Sequence, residues 1–162
     1  PDPNQPGRAR LREVMPFGAR LAFLFLMTET FTISGSFNKT DDDEMLAFGW
    51  ASVAIKTDGE IVIDSHSDTI PPDVLERASY EYALHSREGR VQHGQKQVAR
   101  LVEIFASTPT KLKAMGLEED ALPQGIWCGF KVDDPKVWKA IKSGDLPSFS
   151  IAGTAKRRKV TT

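Results

Sequence analysis

Cysteine is nearly absent: Cys128 stands alone among 162 residues. One thiol closes no disulfide within the chain and leaves no second sulfur for a zinc knuckle. Disulfide-stapled scaffolds and zinc fingers are thereby excluded, and a reducing compartment fits. Histidine is scarce too. His66, His85 and His93 are the full complement, and they form neither an HxH nor an HExxH pattern. No glycine-rich phosphate loop of the GxGxxG or GxxxxGK[ST] kind occurs either. Metal and nucleotide chemistry therefore have no motif to stand on, and no cofactor is expected.

No charge of one sign prevails. Lys and Arg number 21 and Asp and Glu 22, a net charge of −1, so no global field draws the chain to nucleic acid or to an anionic membrane. Basic residues gather only locally, as Arg8, Arg10, Arg12 and Arg20 and then as Lys156-Arg157-Arg158-Lys159. Solvated terminal arms are the plain reading of both, and a nucleic-acid module resting on the second run alone is weak. Long hydrophobic runs are missing as well. Leu21–Leu26 follows the first basic stretch in the manner of a signal peptide. It is short for a membrane span, and no small-x-small cleavage site follows. Residues 1–26 read as a disordered or mis-assigned extension, with a docking arm or first strand as the alternative. From Met27 the chain reads as the start of a soluble domain.

The composition that remains, 40 % hydrophobic and 27 % charged, is that of one globular domain with a real core. Its expected bounds are 27–155, with 156–162 as a basic tail. Strands are expected over Thr28–Phe37, Leu46–Lys56, Gln97–Phe105 and Ile126–Val132. Asp58-Gly59 should turn a hairpin from Leu46–Lys56 into Ile61–Asp64. Pro71-Pro72-Asp73 opens a helix running to His85, Thr108–Met115 forms a short one, and Asp133-Asp134-Pro135 caps a third over Lys136–Lys142. No regular βαβ period and no repeat appears. An α+β domain on a mostly antiparallel, barrel-like sheet is the expectation.

The chemistry gathers around Lys142–Gly153, KSGDLPSFSIAG. A turn signal runs into an alternating strand that sends Phe149 and Ile151 to one face and Ser148 and Ser150 to the other. A serine needs a neighbouring base to act as a nucleophile, and without one the two hydroxyls are solvated decoration. His93, in a polar glycine-flanked loop, has the right proton affinity for that base. Glu103 puts a carboxylate inside the apolar run Val102–Phe105, where it either faces solvent on a one-sided sheet or orients an imidazole. His66 and His85 compete as partners, and Asp64 and Asp68 are further acceptors. Spacing alone does not choose among them.

Several segments in order resemble the XkdF-like phage serine proteases, a branch of the prohead (capsid maturation) proteases. They include Phe48–Ala54, Asp64–Ile70, Leu75–Ala78, Arg87–His93, Leu101–Glu103, Gly125–Val132, Asp134–Trp138 and the stretch from Lys142 to Gly153. The resemblance covers roughly residues 46–155. It implies a serine endopeptidase with a β-barrel and flanking helices, similar to the herpesvirus assembly proteases. It matches Ser150 to the nucleophile of an F-S-I-x-G motif and His93 to the general base. Glu103 falls on a motif position taken as the third member. The herpesvirus enzymes use a second histidine there, which keeps His66 and His85 open. Ser148 stands where the family pattern has glycine, and that pattern continues into a further strand segment, so either a fragment or a shortened form of the protein is expected. The implied partners are scaffold and major capsid proteins as substrates, inside the assembling prohead in the host cytoplasm, with a possible homodimer and with neither nucleic acid nor membrane. The alternative is a non-catalytic virion or scaffold-associated protein that keeps the fold.

Overall fold

Strand patterning decides most of the architecture. In a computed structural model that describes residues 12–16, 30–41, 44–64, 67–91 and 96–159, eight strands and three helices alternate along the chain. They are β1 (Arg12–Pro16), β2 (Thr30–Asp41), β3 (Leu46–Ile55), β4 (Asp68–Thr69), α1 (Pro72–His85), β5 (Glu88–Arg90), β6 (Gln97–Ser107), α2 (Pro109–Ala114), β7 (Gln124–Val132), α3 (Pro135–Ser143) and β8 (Ser148–Lys159). The strands join one sheet in the order β4-β1-β8-β2-β3-β7-β6-β5. Every pairing is antiparallel except β1 with β4. The α+β reading on an antiparallel, curled sheet therefore holds.

The curl comes from β2, which changes partner along its length. Thr30–Ser36 pairs with β8 and Phe37–Asp41 pairs with β3, with a register shift between Phe37 and Lys39. Such an irregularity bends a strand and increases its twist. The concave face this creates carries small side chains from β3 (Ala51 and Ala54), which leave room for Val74 and Leu75 of α1. Ile126 and Cys128 of β7 complete that core. The helix is pinned at its far end, where the Tyr82 hydroxyl donates to the Glu88 carbonyl at 2.7 Å and the Tyr82 ring lies 6.4 Å from that of Phe130. Helix α3 starts where Asp134 accepts the Lys136 N–H at 2.9 Å and stops at Gly144, whose φ of 81° is the left-handed turn that glycine takes without strain. Its expected inner residues Val137, Trp138 and Ile141 are half-buried. No helix among the described residues is long and apolar enough to cross a membrane.

Three expectations are corrected. The basic run Lys156–Lys159 is no tail: it is the second half of β8, with Ala155–Lys159 paired along its length to β1. Backbone pairing, blind to side-chain charge, overrides the solvated-arm reading. Arg12–Pro16, within the stretch read as an extension, supplies that partner strand, while the rest of residues 1–26 lies outside the described residues. The Asp58-Gly59 turn does form, with the Gly59 N–H donating to Lys56 O at 3.0 Å. Its second arm shrinks to the single bridge Ile55–Ile61. Ile61 and Ile63 stay half exposed. The short strands β4 and β5 carry too few residues to show a period.

Gly125 sets how closely β3 and β7 approach. A Cβ there would lie 2.3 Å from the Ser52 carbonyl oxygen and 2.9 Å from the Val53 Cα, both backbone atoms that cannot rotate away. Gly125→Ala is expected to lower the stability by about 1–3 kcal/mol, the usual cost of overpacking. Leu112→Ala, at a fully buried site, should cost about 2–5 kcal/mol. Urea unfolding midpoints of the two variants against the parent check both values.

Candidate active site

Phe149 decides the orientation of the candidate strand. Its ring packs against the core and sits 5.3 Å from Phe130, so alternation turns its neighbour Ser148 to the opposite, convex face. The register places Ser34 directly across from Ser150, Ser36 across from Ser148, and Gly35 across from Phe149. Four serine positions, 34, 36, 148 and 150, are therefore paired where β2 runs beside β8. The sequence carried a signal for the β2 half, Ser34-Gly35-Ser36, but only the pairing register connects it to Ser150. Among the described residues, β1 pairs β8 only along 155–159. The length around Ser150 is paired on its β2 side.

His93 and His66 lie outside the described residues. The loop that carries His93 joins β5 to β6 and is anchored by Arg90, which pairs with Gln97, and by Lys96, whose ammonium meets Asp134 at 3.1 Å. His85 is on an exposed face of α1, 3.4 Å from Glu81 one turn earlier. Asp64 and Asp68 are tied to each other through a tight turn, in which the Asp68 N–H donates to Asp64 Oδ1 at 2.9 Å. Asp68 is only 2 % exposed. It belongs to β4, at the far end of the sheet beyond β1.

Glu103 is exposed on the convex face and accepts the indole N–H of Trp127 at 3.1 Å. Trp127 meets Trp50 edge-to-face at 5.7 Å, and the Phe48 ring lies over Gly129, where a Cβ would come within 2.5 Å of it. Glu103 is thus held in an aromatic layer of β3, β7 and β6. Three strands stand between β6 and β8 in the sheet, a separation of about 19 Å at the usual strand spacing. Along β6 it lies about six residues, or about 20 Å, from Gln97 at the base of the His93 loop. The sheet brings Glu103 neither to Ser150 nor to the anchors of that loop, which is at odds with its expected role as third member.

Cys128 lies directly beneath this layer, 3 % exposed. Burial, reinforced by the Glu103 charge, pushes its thiol up to about 12. It is an inert core thiol and not a nucleophile. Among the described residues, no three His, Cys, Asp or Glu side chains converge to hold a metal ion.

Residues 35–159 match the family model described as "Putative phage serine protease XkdF". The chain belongs to that family. Ser150, His93 and Glu103 all lie within the matched span, as do His66 and His85. The chain is also similar to the "Uncharacterized protein YqbD" of Bacillus subtilis (strain 168), 26 % identical over 118 residues, which is 72 % of this chain and 34 % of that protein. It therefore spans about a third of the length of the curated relative it matches. No solved structure matches the chain.

Two outcomes follow for a member of the XkdF family built this way. Glu103→Gln keeps an acceptor for Trp127, so any Ser150-dependent cleavage should stay within about twofold of the parent, where loss of a true triad carboxylate costs about 10⁴ in kcat. Kinetics of the two proteins on one substrate decide it. For Cys128, the folded-state pKa of about 12 exceeds the reference value of 9.0. The thiol therefore contributes stability that is intact below pH 9.0 and lost as the pH rises towards 12. Cys128→Ala should flatten the alkaline part of the stability–pH curve, and disulfide reagents at pH 8 should modify the parent only as fast as it unfolds.

Proposed function

We propose that this domain is the catalytic part of a phage prohead serine endopeptidase that cleaves scaffold and capsid-protein segments during head assembly, inside the prohead in the host cytoplasm. The observation that carries the reading is the family match over 35–159, which spans both Ser150 and His93. In this reading the curled sheet is a relative of the herpesvirus assembly protease barrel, and a homodimer is its working form.

Ser150 Oγ attacks the scissile carbonyl carbon while His93 takes its proton. His93 then gives that proton to the departing amine, leaving an acyl-serine ester that water hydrolyses by the same relay. The oxyanion formed on the way needs donors already in place. Backbone N–H groups near Ile151–Gly153 are suited to that role, and the missing side chain at Gly153 lets the substrate backbone approach. Glu103 takes no part. Its carboxylate serves Trp127.

Co-expression with the neighbouring scaffold and capsid proteins tests the reading. Cleaved products are expected with the parent, and loss by a factor on the order of 10³ or more for Ser150→Ala and for His93→Ala alike, since the two groups act as a unit. Cleavage that survives both substitutions removes this site. A fold that assembles with the prohead but cuts nothing identifies a structural protein that keeps the protease architecture.

A further inference from the structure

An open cleft of about 500 Å³ lies where the end of α1 meets β5, β6 and β7. Its floor is apolar, formed by Leu101 and Val102, the latter 54 % exposed. Its rim carries three cations, Arg87, Arg100 and Lys131, and one carboxylate, Glu88. The charges around it are mostly spent. Arg100 holds Asp133 with two hydrogen bonds of 2.8 and 3.0 Å. Lys131 is engaged by the Glu44 carbonyl and lies 3.6 Å from the Glu44 carboxylate. Arg90 pairs with Glu88, and Lys96 with Asp134. Arg87 differs. Among the described residues it meets no carboxylate, and its Nε donates to the Ala83 carbonyl. That bond fixes the guanidinium plane and leaves the two terminal nitrogens for a ligand.

The backbone at Arg87 adds a second observation. Its φ is 65°, in the left-handed region at the end of α1, where glycine is the usual occupant. A side chain with a Cβ is disfavoured there, because the Cβ crowds the following carbonyl oxygen. The position is held on both sides, by the Arg87 N–H to Tyr82 O at 3.1 Å and by Leu101 N–H to Arg87 O at 2.8 Å. A costly backbone state that carries an arginine whose charge has no carboxylate partner puts a fixed guanidinium at the mouth of an apolar cleft.

We infer that this cleft binds an extended peptide through one of its carboxylate side chains, with Arg87 as the anchor and Leu101 and Val102 under a neighbouring apolar side chain. Nucleic acid is the poorer fit. It needs a track of unpaired cations along successive phosphates, and here the others are ion-paired. A guanidinium suits a carboxylate, which it grips with two parallel N–H donors. Gln97 at the cleft's edge donates to the Ala99 carbonyl at 3.3 Å, which leaves its side-chain oxygen to accept a peptide N–H. The same β5 and β6 flank the connection that carries His93 in the sequence. The inference deepens the peptidase reading, on which it rests for the ligand being a substrate, by naming its class: segments with an acidic residue next to an apolar one.

The test reads binding and not cleavage, in the Ser150→Ala protein. Fluorescein-labelled ten-residue peptides of alternating Leu and Glu, or Leu and Gln, are titrated by fluorescence anisotropy at low salt, with a ten-nucleotide oligothymidine as a third probe. The Glu peptide is expected to bind at least about tenfold more tightly than its Gln twin. Arg87→Gln should abolish that preference, and so should Arg87→Gly, which suits the left-handed backbone and keeps the fold. Lys113→Gln, on α2, should leave the preference intact. Equal binding of the two peptides, or a preference that outlives both Arg87 variants, overturns the inference. So does tighter binding of the oligonucleotide. Failure of the peptidase reading is seen elsewhere, as absence of cleavage in co-expression, and does not alter these titrations.

Discussion

The contact between Phe149 and Phe130, ring centres 5.3 Å apart, is the constraint on which the rest depends. Phe149 comes from β8 and Phe130 from β7, and two strands separate β8 from β7 in the sheet. Their rings can meet only if the sheet curls and both point into the concavity. Once Phe149 is committed inward, Ser148 beside it turns outward by alternation. Tyr82 packs on the far side of Phe130, so the same cluster seats α1 in the groove.

The two faces of the sheet then have different chemistry. The inner one joins small and branched apolar residues under α1 to the rings of Phe130 and Phe149. The outer one carries an aromatic layer on β3, β7 and β6. Glu103 belongs to the aromatic layer. A carboxylate there is stabilised by a hydrogen bond from Trp127 and by water, and it needs no catalytic explanation. In the sequence it looks anomalous because it interrupts an apolar run. In the sheet it is the solvent-facing member of a strand with one buried side.

Much of the fold was legible in the chain. Pro71-Pro72-Asp73 and Asp134-Pro135 start helices because proline fixes φ and asparate accepts backbone N–H groups, both local effects. Gly144 ends α3 for an equally local reason. The strands with a period of two were legible as well. The misses share a cause. The single-bridge arm after Gly59, the short β4 and β5, and the basic half of β8 are all decided by what lies alongside, and no residue within them records its neighbour.

For the candidate site, the sequence by itself nominated the residues, the F-S-I-x-G stretch with Ser150 and an upstream His93, and its ordered segments make the chain an XkdF-family protein. It also determined that Ser148 and Ser150 share a face, since alternation is a property of any strand. Only the tertiary structure decided which face Phe149 takes, because that rests on its meeting Phe130. Only the sheet order separates Glu103 from Ser150, and only the end of α1 beside β6 turns Arg87 from one more surface cation into the rim of a cleft. Strand pairing and helix docking bring together residues far apart in the chain, and the energy that selects those partners comes from the shared core.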